Sequence, residues 1–186
     1  MELLSYITSK IKLDPEVCSK IVAAFKTESY TRGAHLIKPG GSSSKVYFIE
    51  KGLIRTFYYK DERDITQFFF DAGSFTTPLN SVFYGKQEPY GWETLEDTIV
   101  KVIPYHELEA MCVRIPEVQR MLFLAAIDTL NMFVIKLESL QFQTAEQRYS
   151  SMMEMYPEIL LRVPLGHIAS YLGITQQTLS VIRAKR

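Results

Sequence analysis

Apolar positions along the chain begin at helical spacing, change to strand spacing, and then return to helical spacing. Stretches 2–11 and 14–26 read as two short helices. In the second, Asp14 followed by Pro15 offers an N-cap and a proline at the first helical position. Val17, Ile21, Val22 and Phe25 fall on one side of it, an apolar face expected to pack on the next domain. From 30 to 103 short β-rich runs appear at 35–37, 46–50, 53–59, 65–70 and 98–103. Turn signals separate them at 39–42 (PGGS), 51–52 (KG), 61–64 (DERD) and 71–73 (DAG). Short strands at this regular spacing predict a sandwich or barrel. The run Gln67, Phe68, Phe69, Phe70 is expected to supply much of its core.

Helical spacing resumes at Tyr105. A short helix is predicted over 105–113, and Pro116 opens a long one reaching about residue 142, roughly 40 Å at 1.5 Å per residue. Within it Phe123, Ile127, Leu130, Val134 and Leu137 recur at alternating intervals of four and three, a coiled-coil-like seam. A second stripe, Leu122, Ala126, Phe133 and Leu140, lies beside it. One stripe can pack on the β domain. The other needs a partner, and a second copy of the same helix is the economical one. Thr144 then caps a helix with Glu146 in its first turn, running to about Tyr156; Met152, Met153 and Met155 read as core filling rather than metal ligands.

The segment 165–184 carries the densest set of constraints. Ile168 and Leu172 share a face of one short helix, and Leu179 and Ile182 share a face of a second. Gly173 between them suits the positive φ that ends a helix, Thr175 is placed to cap the next, and Ala169 is small where the two would cross. This is the layout of a helix-turn-helix, whose second helix is free to enter a DNA major groove.

Charge sharpens that reading. The chain has 21 basic and 21 acidic residues and no net charge, so any nucleic-acid face must be local. After Glu158 no acid remains, while Arg162, Arg183, Lys185 and Arg186 follow. An acidic N-terminal part joined to a basic C-terminal one suits a sensor coupled to a reader of phosphate backbone. With 47% apolar residues the chain can build a core. Cys18 and Cys112 match no metal or iron–sulfur spacing and are expected to be buried free thiols in a reducing cytosol. Residues 1–9 lack a basic n-region and a long apolar run, and no apolar stretch reaches membrane-spanning length, so a cytoplasmic protein without membrane partners is expected. His35, His106 and His167 stand apart in sequence, and no nucleophile–base arrangement is readable, which counts against an enzyme on a cupin-like barrel. No cofactor is expected.

The order β roll, long helix, helix-turn-helix resembles the Crp/Fnr superfamily of bacterial transcription regulators. HLIKPG at 35–40 and VYFIEKGLIR at 46–55 are similar to the opening hairpins of a cyclic-nucleotide-binding roll, and TAEQRY at 144–149 with IASYLGIT at 168–175 to the superfamily's C-terminal reader. The resemblance implies an α+β fold in three parts. These are an N-terminal double-stranded β-helix (jelly-roll-like) sensor at 1–113, a dimerisation helix at 114–143 and a helix-turn-helix domain at 144–186. It also implies a homodimer that binds a two-fold DNA site and responds to a signal. Where members that bind cyclic AMP carry a Gly-Glu pair for the ribose, this chain has Thr77 and Pro78; where they carry Arg-Ser for the cyclic phosphate, it has Glu88 and Pro89. A glutamate repels a phosphate, Pro89 lacks an N–H, and Lys86 could replace arginine only as a point charge. No response to cyclic AMP is expected. Thr77, Asn80, Ser81, Tyr84, Tyr90 and Trp92 are candidates to line a pocket for another effector.

On the second reader helix Gln176 and Gln177 lie where base edges are reached, and Val181 replaces an arginine common in the family. Thr175, Thr178, Arg183, Lys185 and Arg186 are candidates for phosphate contact, and the chain's end predicts no β wing. His167 is expected on the solvent surface. The alternative is a ligand-sensing or protein-interaction module that has lost specific DNA binding, which Val181 keeps open.

Overall fold

Asp14 accepts from the Glu16 N–H, so the N-cap and proline set the start of the second helix where the sequence placed it. The two opening helices are α1 (Leu3–Lys10) and α2 (Pro15–Ala24). In this computed structural model residues 1–185 are described; Arg186, an expected phosphate contact, lies outside the described residues. Helix α2 stops at a Phe25 cap, and β1 (Lys26–Tyr30) begins where helix was expected to continue. Its polar residues give no strand signal. Pairing with a distant strand makes it one.

The remaining strands are β2 (His35–Ile37), β3 (Lys45–Lys51), β4 (Leu53–Lys60), β5 (Arg63–Asp71), β6 (Phe75–Thr76), β7 (Gly91–Thr94) and β8 (Thr98–Pro104). They form two four-stranded antiparallel sheets, ordered β1-β8-β3-β6 and β2-β7-β4-β5. Helix α3 (Leu79–Tyr84) sits between β6 and β7. The sequence pattern gave no element to 75–94, where β6, α3 and β7 are all short. Gly91 on β7 is required by packing: a Cβ there would lie 2.6 Å from the Phe57 ring. The β4–β5 hairpin turns through Asp61 and Glu62, both at positive φ, with Lys60 facing Arg63, as a two-residue hairpin of the primed type demands.

Strand β5 divides its phenylalanines by the period-two rule. Phe68 and Phe70 lie with Trp92 and Ile54 between the sheets. Phe69 points the other way and is buried against the C-terminal helices, so the aromatic run does not serve the roll's core as a block.

Helices α4 (Tyr105–Arg114) and α5 (Pro116–Phe142) follow. Val118, Met121 and Ala125 of α5 are buried with Leu3, Ile7, Ile21, Phe25, Phe48 and Ile103, which joins the opening helices to the roll as expected of the α2 face. The side of α5 that packs thus takes in part of the second expected stripe, Leu122 on this core and Phe133 against the Phe68 ring, while Ala126 lies exposed. Leu122 and Phe133 are half-buried, but Leu140 is exposed, and so are Phe123, Ile127, Leu130, Val134 and Leu137. A helix apolar nearly all round does not reveal from composition which side meets the roll. Cys18 is buried; Cys112 is only half-buried, and burial raises its thiol pKa.

The chain closes with α6 (Ala145–Met155), α7 (Ile159–Arg162), α8 (Leu165–Leu172) and α9 (Gln176–Ala184). Thr144 caps α6 as expected, and Gln147 returns the bond to the Thr144 N–H, completing a capping box. Among the described residues no helix is long and apolar enough to cross a membrane.

Candidate functional site

Helices α8 and α9 are set by the local chemistry read from the sequence. Gly173 takes φ 67°, and Thr175 caps α9 by accepting from the Thr178 N–H at 3.1 Å. Ile168, Ala169, Leu172, Leu179 and Ile182 are buried together. The outer face of α9 presents Gln176, Gln177, Thr178, Ser180, Val181 and Arg183 to solvent, with Thr175 and Lys185 exposed at its two ends. Apart from Ser180, these are the residues expected to meet base edges and phosphates, and they lie on one exposed helix or at its ends. Lys185 pairs with Glu146 at 2.7 Å, both largely exposed. Gln176 lies over α8, where a Cβ on Gly166 would come within 2.7 Å of its amide nitrogen, so glycine permits that approach.

Other basic and polar groups of this segment face the roll instead. Arg162 forks between Asp71 of β5 and Glu96, with a nitrogen 2.7 Å from an oxygen of each, and those bonds, Glu96 first, hold its charge. Its charge is neutralised there and is not offered to a phosphate. Ser170 of α8 accepts the Thr66 N–H at 2.8 Å and donates to the Asp64 carbonyl, satisfying β5 at the edge of its sheet. Tyr171 packs its ring 5.1 Å from that of Phe69, and the Tyr156 hydroxyl donates to the Phe69 carbonyl. His167 is half-buried at this contact, not free on the surface. Burial, then the nearby Arg55 charge, lowers its pKa. Arg55 is itself buried and forks to Asp64 and Glu93, whose bonds outweigh the burial that opposes its charge.

Two cations that sequence reading missed hold the C-terminal end of α8. Arg148 donates from Nε to the Leu172 carbonyl at 2.9 Å and from a terminal nitrogen to the Gln143 carbonyl. Lys136 of α5 donates to the Tyr171 carbonyl, its Nζ 3.4 Å from the centre of the Tyr171 ring. Burial, then Arg148, lowers the Lys136 pKa to about 7. Terminal carbonyls with cations beside them are the expected pairing at a helix C-terminus, but nothing local in the sequence names those partners.

A cavity of about 570 Å³ opens between the inner face of the roll and α5. Of the expected pocket residues Thr77, Asn80, Tyr90 and Trp92 line it. Tyr84 does not, being 70% exposed. Ser81 does not line it either: its N–H donates to Glu88 at 2.7 Å, and it borders a separate depression with Lys86. Lys86 therefore does not substitute for an arginine in the cavity. Glu88 lines the cavity at 3% exposure. Among the described residues no group of three or more His, Cys, Asp or Glu side chains is placed to hold a metal ion.

This two-sheet domain has a family counterpart. Residues 27–114 match the cyclic nucleotide-binding domain family. No curated protein matches the chain in sequence. Among solved structures, FixK2 from Bradyrhizobium japonicum shares the fold with a TM-score of 0.75 and 20% identity, over 87% of this chain and 83% of its own. A double mutant of CooA from Carboxydothermus hydrogenoformans does so with a TM-score of 0.70 and 19% identity, over 95% and 86%. CLP of Xanthomonas campestris, described as a c-di-GMP-responsive global regulator, does so with a TM-score of 0.72 and 15% identity, over 92% and 91%. These likenesses cover more of the chain than the residues matched to the cyclic nucleotide-binding domain, and at such identities they establish architecture.

Proposed function

We propose that the chain is a DNA-binding transcription regulator of Crp/Fnr type, acting in the cytoplasm as a homodimer and answering to an effector other than cyclic AMP. The observation that carries this reading is α9. Leu179 and Ile182 are buried in a small core, and the rest of the helix is turned outward with glutamines near the N-terminus and Arg183 near the end. Gln176 and Gln177 reach base edges; a glutamine donates to and accepts from adenine in a bidentate pair. Val181 meets a thymine methyl, and Thr175, Thr178, Arg183 and Lys185 meet phosphates. Phe123, Ile127, Leu130, Val134 and Leu137 pair with the same helix of a second copy, which removes a continuous apolar stripe from water. Catalysis is not part of this reading.

A second reading, a sensing module that engages a protein through α9, draws on Val181 and on the Lys185–Glu146 pair, which takes up one of the basic residues. Selection from a random duplex pool separates the two. A regulator of this kind enriches a two-fold-symmetric site whose half-sites lie about one helical turn, or a multiple of it, apart. A pool that gains no common sequence favours the protein-binding reading.

A further inference from the structure

The cavity's volume lies in the range of pockets that take small organic molecules. Its wall is mostly rings and aliphatic chains: Phe68, Phe70, Tyr90, Trp92 and Phe133 on several sides, with Leu130 from α5. The polar groups are Thr and amide side chains, the Tyr90 and Tyr105 hydroxyls, the Trp92 indole N–H and one carboxylate, Glu88. Among the described residues no Lys, Arg or His lines it.

Glu88 is fixed in place. Its N–H donates to the Gly41 carbonyl, its own carbonyl accepts from the Gly40 N–H, and its carboxylate accepts from Ser81. Asn80 reaches the second carboxylate oxygen only at 3.4 Å, the outer limit of a hydrogen bond, so that oxygen keeps capacity to accept. An anion entering this space gives up its water and meets a negative charge with no cation to offset it, a penalty on the order of a hundredfold in affinity.

We propose that the cavity binds an uncharged, largely apolar ring compound that donates a hydrogen bond to the Glu88 carboxylate, and that it rejects anions, cyclic nucleotides included. As the identity of the effector this rests on the regulator reading above; as a binding site it does not. Leu130 belongs both to the cavity wall and to the exposed stripe of α5, so an occupant touches the helix on which dimerisation depends.

The chain's single tryptophan, Trp92, lies in the wall, so its emission reports occupancy. The full chain is titrated with three molecules of one shape: 2-naphthol, 2-methoxynaphthalene and 2-naphthoate, with calorimetry in parallel and cyclic AMP as a fourth ligand. Naphthol is expected to bind saturably, severalfold tighter than the methoxy compound and about a hundredfold tighter than naphthoate or cyclic AMP. Glu88→Gln brings naphthoate to within about tenfold of naphthol. Ala126→Trp, at an exposed helix position on the cavity's edge, weakens naphthol at least tenfold by calorimetry, which the added tryptophan does not disturb, while circular dichroism stays unchanged. Naphthoate or cyclic AMP binding as tightly as naphthol overturns the proposal, and so does naphthol binding indifferent to Ala126→Trp. Duplex binding is measured on the same preparations. Naphthol failing while DNA binds removes this inference alone. DNA failing while naphthol binds removes the regulator reading and leaves the site.

Discussion

The β roll buries Ile37, Tyr47, Ile49, Ile54, Val100 and Val102 between two sheets of its own making, whereas α6–α9 complete their core with Leu53, Phe69 and Leu95 from the roll. The difference follows from size. About forty residues in four short helices bury too little apolar surface to stand alone with comfort, and the missing surface comes from the neighbour. The C-terminal helical unit is thus a dependent body. Its position on the roll is part of its stability, and a change in the roll has a direct physical route to α9 through β5 and α8.

Phe69→Ala breaks this comparison most severely. The side chain is fully buried between the two regions, so its removal is expected to cost about 3–5 kcal/mol. In a denaturant titration the C-terminal helices should lose more than the roll and melt earlier. A C-terminal unit that unfolds at an unchanged midpoint would have a sufficient core of its own.

Lys136→Met acts more mildly, with an effect of about 1–2 kcal/mol. Lys136 is depressed to about 7 in the folded chain and titrates near 10.4 when unfolded. Between those values the unfolded chain holds a proton that the folded one has released, so stability climbs as pH rises from 7 towards 10; below pH 7 the burial penalty is fully present. Stability measured from pH 6 to 10 should therefore rise in the parent chain. The methionine variant should be the more stable at pH 6 and flatter across the series.

What could be read from the sequence divides along the same line. Strands rich in β-branched and aromatic residues, such as β4 and β8, announce themselves, as does a glycine needed at positive φ between capped helices. The polar β1, the two-residue β6 and the short β7 exist because distant strands pair with them, and no local pattern marks that. The same limit governs the candidate sites. Outward residues of α9 follow from helical periodicity, because Leu179 and Ile182 fix which side is inward. Arg162, which looked like part of a basic tail, is claimed by Asp71 and Glu96 across the fold, and Arg148 and Lys136 act on carbonyls that lie far off in sequence. Thr77 and Trp92 could be assigned to a pocket, but the backbone bonds that fix Glu88 in its wall are long-range and unreadable from spacing.

The most direct test of α9 as a DNA-reading surface is the salt dependence of duplex binding by the parent chain and by Arg183→Ala. Arg183 is exposed on the outer face of that helix, so the variant should bind every duplex more weakly, with a log–log salt slope flatter by about one ion. Equal affinity and an identical slope in the two proteins would contradict the placement of α9 against DNA.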